Sequence, residues 1–189
     1  MSRVRSSLPH LSLMAGLTAL AGWVTLLSWR GLTEDASEVL VPMFMAAVVI
    51  AGGGVAGRWL RVPGVLVVTG QLVFAALFVL VTVTDSPALT VDNLGVLADA
   101  VRAAMESSRT YLAPVPSNVP PVHPLLLIGG VLTLVVLDLT ACTLQRVSLA
   151  GLALLSAYSL PVTLDADGVS WWLFIAMSGL FMAMLFVQH

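Results

Sequence analysis

The chain has 189 residues, and its composition excludes an ordinary soluble domain. Hydrophobic residues make up 59% of it and charged residues 10%, and the mean hydropathy is +1.02. Soluble domains carry about 25% charged residues. The net charge is -2, and the charges lie in short loops rather than in a basic stripe, so we expect no nucleic-acid partner. This composition is typical of a membrane protein that has the lipid bilayer as its surroundings.

Six apolar segments are long enough to cross a bilayer, which takes about 20 helical residues. We place these spans at about 8–29, 39–57, 62–83, 122–142, 147–164 and 169–187. The first span follows Arg3 and Arg5, but it is longer than the apolar region of a signal peptide and lacks a small-residue cleavage site, so we interpret it as a retained anchor. The predicted fold is all-α, a polytopic bundle of about six transmembrane helices that forms one domain over residues 1–189.

Residues 85–121, between the third and fourth spans, form the one long stretch that apolar residues do not dominate. Thr90 is a candidate N-cap for an amphipathic helix. The apolar positions recur at helical spacing, with charged residues opposite: Leu94, Leu97, Ala98, Val101 and Met105 against Asp99, Arg102, Glu106 and Arg109. We expect this helix to lie on the membrane surface or to cap the bundle; the alternative is a docking surface for a partner domain. After Tyr111, repeated prolines favour an extended tether.

The arginines predict the orientation of the chain. If the N-terminus is cytoplasmic, the inner loops hold five arginines and no acidic residue: Arg3, Arg5, Arg58, Arg61 and Arg146. This bias predicts a multi-pass protein of the plasma (cytoplasmic) membrane with both termini cytoplasmic and residues 85–121 outside. Tryptophans at the span ends are typical of an aromatic belt: Trp29, Trp171 and Trp172 at the outer surface and Trp59 at the inner one.

Asp138 is the one acidic residue placed inside a span, and an intramembrane carboxylate indicates either a functional group or a paired one. A proton or ion pathway normally contains several such residues, so we expect a structural ion pair near the inner interface. The candidate site is therefore the intramembrane pair Asp138 and Arg146, with Arg58 and Arg61 as alternative partners.

The sequence predicts no catalytic, cofactor-binding or metal-binding residue. Gly52–Gly54 lacks the Lys-Ser/Thr ending of a phosphate loop, and Gly53 with Gly57 instead has the small-xxx-small spacing of closely packed helices. The histidines His10, His123 and His189 all lie at segment ends, which disfavours a shared metal site. Cys142 is expected to be a small packing residue.

Three stretches carry a resemblance to a known family. They are RTYLAPVP (residues 109–116), LQRVSLAGLALLSAYSLPV (144–162) and DGVSWWLF (167–174). In this order they resemble the N-terminal membrane domain of actinobacterial TgpA-type transglutaminase-like proteins. The resemblance implies a six-helix membrane region, an extracytoplasmic transglutaminase-like domain with a Cys-His-Asp triad, and then a last membrane helix. It also implies a MoxR-type AAA+ ATPase and a companion membrane protein as partners.

The chain departs from this plan because the triad lies outside its 189 residues. We therefore expect a non-catalytic membrane anchor, or platform, that positions an extracytoplasmic catalytic domain. One alternative is a small transporter or channel subunit, which an internal repeat of three spans would favour; no convincing repeat is present. The other alternative is a stand-alone membrane assembly scaffold.

Overall fold

The computed structural model describes residues 8–111, 113–164 and 169–188, and within them every regular element is a helix. The elements are α1 (Leu8–Leu27), a 3-10 turn (Ser28–Leu32), α2 (Ala36–Trp59), α3 (Gly64–Thr84), α4 (Val91–Thr110), α5 (His123–Asp138), a π-helical turn (Leu139–Thr143), α6 (Val147–Leu164) and α7 (Trp171–Gln188). Among the described residues, six segments are long and apolar enough to cross a membrane: α2, α3, α6, α7, α1 with its 3-10 turn, and α5 with its π-helical turn. The predicted all-α bundle of six spans is thus confirmed.

The fourth span lies at the centre of the bundle. In α5 and its π-helical turn, 61% of the span is buried, compared with 22% in α3 and 11% in α7. Two hydrophobic clusters meet along it, one containing Met43 and Leu127 and the other containing Leu137 and Leu154. Because α5 is surrounded by other helices, polar side chains at either of its ends are held inside the protein.

Helix α4 begins with the cap that the sequence predicted, because Thr90 Oγ1 accepts a hydrogen bond of 3.2 Å from the backbone N–H of Asn93. The face that packs against the bundle differs from the predicted apolar stripe. Ala104 and Ser107 are buried, whereas Leu94 and Met105 remain exposed. Leu97 and Val101 of the predicted stripe are half-buried beside them, so small side chains, which allow helices to approach closely, make the innermost contact.

The proline-rich segment after α4 is attached to the bundle rather than free. The backbone N–H of Val115 donates to the carbonyl of Leu32 at 3.1 Å, and Val115 is buried. The backbone N–H of Ser117 donates to Glu34 Oε2 at 2.8 Å. These two bonds hold the predicted tether against the loop that joins α1 to α2.

The hydrogen bond from Ser117 lowers the pKa of Glu34, because it stabilises the charged carboxylate. The stabilisation from this hydrogen bond is therefore fully present above the ordinary pKa of a glutamate. It is lost as the pH falls through the lowered pKa of Glu34.

Trp29 does not belong to an aromatic belt. Its side chain is buried, and its indole Nε1 donates to the carbonyl of Ala157 at 2.9 Å. Its position at the end of a span suggested the membrane interface, but a tryptophan whose N–H finds a partner inside the protein can be buried. Trp59, Trp171 and Trp172 are exposed, and the last two stack on each other with ring centroids 4.2 Å apart.

Candidate functional site

A buried ion pair joins the fourth span to the second. Arg58, in the last turn of α2, donates from Nη2 to Asp138 Oδ1 at 2.9 Å and from Nη1 to Asp138 Oδ2 at 3.0 Å. The two side chains are 12% and 5% exposed. Such a bidentate pair is the strongest arrangement that arginine makes with a carboxylate. Burial of both charges therefore fixes α2 and α5 in one register.

The partner of Asp138 is Arg58, one of the two alternatives named from the sequence, and not Arg146. Within the described part of the chain Arg146 makes no ion pair with Asp138; its side chain is exposed, and its backbone N–H donates to the carbonyl of Thr140. Between these two residues the π-helical turn ends at Thr143 and Gln145 adopts a positive φ of 54°, so the chain has left the helix before it reaches Arg146. Arg58, in the last turn of the neighbouring parallel helix α2, lies at the same level as Asp138 at the end of α5.

A third helix contributes Gln71, which the sequence analysis missed. Its Nε2 donates to Asp138 Oδ2 at 2.7 Å and to the carbonyl of Ile50 at 3.2 Å, and the residue is 5% exposed. Because a carboxylate only accepts hydrogen bonds, the amide must point its nitrogen at Asp138. Gln71 Oε1 and Arg58 Nε are then buried without a partner among the described residues. The sequence did contain a sign of this role, because Gln71 is a glutamine inside the largely apolar third span.

Gly54 makes room for this network. A Cβ added there would lie 2.5 Å from Arg58 Nη2 and 3.1 Å from both Asp138 Oδ2 and Gln71 Nε2. The neighbouring Gly53, by contrast, has nothing within 4 Å of an added Cβ. The predicted close packing at Gly53 is therefore not found, whereas a Cβ added at Gly57 would lie 2.8 Å from Val67. Of the three glycines at residues 52–54, only Gly54 therefore lies against the ion pair.

The backbone changes its winding directly after Asp138. Residues Leu139–Thr143 form a π-helical turn, which the N–H of Leu144 closes by donating to the carbonyl of Leu139 at 2.8 Å. Such turns are rare and occur frequently at functional sites. Here the turn brings Thr143 Oγ1 within 3.5 Å of Arg58 Nη1 and buries Cys142, whose Sγ lies 3.8 Å from Thr18 Oγ1.

A cavity of about 10 Å³ adjoins Asp138, lined by α1, α2 and α5 and including Thr18 and Ala51. This is about the space that one water molecule needs. A solute larger than water does not fit beside the carboxylate. The arrangement is therefore suited to joining α2, α3 and α5 rather than to passing a substrate.

The opposite end of α5 carries a second polar cluster. His123 Nδ1 lies 3.0 Å from Glu38 Oε2, and His123 Nε2 lies 3.2 Å from Thr33 Oγ1. The order hydroxyl, imidazole and carboxylate is that of a hydrolase triad. Thr33, however, is 7% exposed, and the cavity of about 660 Å³ on this side is lined by Glu38 and His123 without Thr33. The cluster thus fastens the loop between α1 and α2 to α5 and presents no nucleophile to that cavity.

No metal site can be assigned in residues 8–111, 113–164 and 169–188, where no three His, Cys, Asp or Glu side chains are close enough together to hold an ion.

Six apolar spans around a buried ion pair define a polytopic helical membrane protein. The family model of the TgpA N-terminal domain matches residues 8–189, nearly the whole chain, so the chain belongs to that family. The resemblance noted in the sequence is thereby confirmed for the domain, while an actinobacterial source stays a prediction. No curated protein and no solved structure matches the chain.

Proposed function

We propose that the chain is the non-catalytic membrane anchor of a TgpA-type transglutaminase-like protein and that it positions a catalytic domain lying outside these 189 residues. The observation that carries this proposal is the position of its single thiol, because Cys142 is 4% exposed and lies far from His123, the nearest histidine in the sequence. A transglutaminase-type reaction needs a thiolate that a neighbouring histidine activates. Cys142 and His123 lie at opposite ends of the fourth span, roughly 28 Å apart for nineteen helical residues.

The rigid interior supports an anchoring role. The bidentate pair of Arg58 and Asp138 joins α2 to α5, and Gln71 joins α3 to both. A domain attached to such a bundle is held in a defined position. The small size of the cavity at Asp138 disfavours the transporter alternative. We also propose the MoxR-type AAA+ ATPase and the companion membrane protein as partners, because the family resemblance implies them.

We propose that the end of the bundle carrying Arg58, Arg61 and Arg146 is cytoplasmic, following the positive-inside rule. The helix α4 then lies on the outer side. Six crossings return the chain to the side where it started, and Gln188 at the end of α7 donates a hydrogen bond to the carbonyl of Gln145 at the arginine end. In this orientation, an extracytoplasmic catalytic domain that follows requires one further crossing, which the six-helix plan implied by the resemblance does not include.

This orientation predicts a labelling pattern for single cysteines placed in a Cys142→Ala background. Glu106 in α4 and Ser148 in α6 are both exposed. An impermeant thiol reagent is expected to label Glu106→Cys in intact cells and Ser148→Cys only after the membrane is permeabilised. The reverse pattern would place the arginine end outside and overturn the orientation.

The anchoring role predicts that the purified chain incorporates no labelled amine into a glutamine-containing protein. The assay compares the wild type with Cys142→Ala and, because of the polar cluster at Thr33, with His123→Gln. Incorporation above background that is lost in either variant would make the membrane module itself an enzyme.

A further inference from the structure

An apolar groove of about 410 Å³ lies at the end of the bundle where α4 ends. Its walls come from the 3-10 turn after α1, the proline-rich segment, α5 and α6. Ligand pockets in proteins typically measure roughly 300–1,000 Å³ and are mostly apolar with a few polar groups. The groove is of this kind, and none of the roles proposed above uses it.

The lining continues from the interior of the bundle onto its lipid-exposed surface. Trp29 and Leu126 are buried at the inner part of the groove, and the Trp29 N–H is already bonded to Ala157. Leu160 and Leu164, on the spanning helix α6, are 39% and 52% exposed. A flexible apolar chain from the bilayer can therefore enter between α6 and the proline-rich segment without crossing water.

A cationic side chain, that of Arg109, lies at the polar end of this groove. Arg109 lies in the last turn of α4, is exposed and has no ion-pair partner among the described residues. Tyr111 follows it in the lining. In contrast, Arg102 on the same helix pairs with Asp99 at 2.9 Å. A guanidinium such as that of Arg109 pairs with phosphate oxygens through charge-assisted hydrogen bonds.

We propose that this groove is a binding site for an anionic phospholipid, with one acyl chain against Trp29 and the phosphate paired with Arg109. The apolar volume accepts the chain, and the free cation supplies the matching charge. The site would hold a lipid between α4 and α6 whichever catalytic domain the module carries.

The test uses Trp29 as a reporter in nanodiscs, with the other four tryptophans (Trp23, Trp59, Trp171 and Trp172) replaced by phenylalanine. Phosphatidylglycerol brominated on its acyl chains is titrated into phosphatidylcholine. Bromine quenches only fluorophores that it approaches closely, so quenching of the buried Trp29 is expected at a low mole fraction of the brominated lipid. Brominated phosphatidylcholine is expected to need a higher fraction.

Two sets of variants make the test specific. Arg109→Gln is expected to raise the half-quenching fraction about fivefold, the effect of one cation at a membrane surface, and Arg102→Gln is the matched control that leaves it unchanged. Thr163→Phe and Ala113→Phe fill the groove and are expected to abolish the quenching. Absence of quenching in the parent, equal response to the two lipids, or equal effects of the two arginine variants would each overturn the proposal.

Discussion

Replacement of Gly54 by alanine is expected to lower the free energy of unfolding by about 2–4 kcal/mol, the combined range for overpacking and for disturbance of a buried ion pair. An added Cβ meets three polar atoms of the network at 2.5–3.1 Å. Arginine is flexible in general, but both terminal nitrogens of Arg58 are already bonded to Asp138. The guanidinium can move away only by breaking those bonds.

Gly53→Ala is the matched control, because nothing lies within 4 Å of an added Cβ at that position. It is expected to leave stability unchanged or to raise it by up to about 1 kcal/mol, the usual gain for glycine to alanine in a helix. Unfolding in mixed micelles, followed by circular dichroism, gives both values. Equal effects at the two positions would mean that Gly54 has no special relation to the ion pair.

Asp138→Leu is expected to lower the free energy of unfolding by about 3–5 kcal/mol, the loss typical when one partner of a buried ion pair is removed. Arg58 then stays charged with 12% of its side chain exposed, and Gln71 loses the acceptor of its 2.7 Å hydrogen bond. Asp138→Asn is expected to keep the fold at a smaller loss, because the amide oxygen still accepts hydrogen bonds.

The double variant Asp138→Leu/Arg58→Met distinguishes the effect of an unpaired buried charge from the effect of the changed side-chain packing. It removes both charges together, and most of the lost stability is expected to return, since an apolar replacement of a whole buried pair is often neutral. Arg146→Met is the control and is expected to change stability by less than about 0.5 kcal/mol, as exposed positions do. A stable Asp138→Leu variant, or an Arg146→Met as damaging as Arg58→Met, would contradict the pairing.

The same double variant also tests the reason given for Gly54. With both charges gone, an added methyl group at Gly54 has less to displace, so Gly54→Ala is expected to cost less there than in the wild type. A double-mutant cycle measures this coupling. Independent effects would indicate that Gly54 packs against the helices rather than against the network.

The sequence by itself determined the class of the protein and the outline of its fold. A segment of about 20 apolar residues cannot remain in water and must form a helix in the bilayer, so span number follows from local composition. The Thr90 cap was equally accessible, because a capping side chain acts within one turn. The sequence also marked Asp138, since a lone carboxylate in an apolar span needs a partner.

Tertiary structure alone decided which groups meet. Asp138 is 80 residues from Arg58 and 67 from Gln71 along the chain, and no local pattern relates them. The choice of Arg58 over Arg146 depends on the level at which the parallel helices α2 and α5 end beside each other. The burial of Trp29 was mispredicted and the polar cluster at His123 was missed for the same reason. The periodicity of a helix can be read from its own residues, but which of its faces is buried depends on the helices that pack against it.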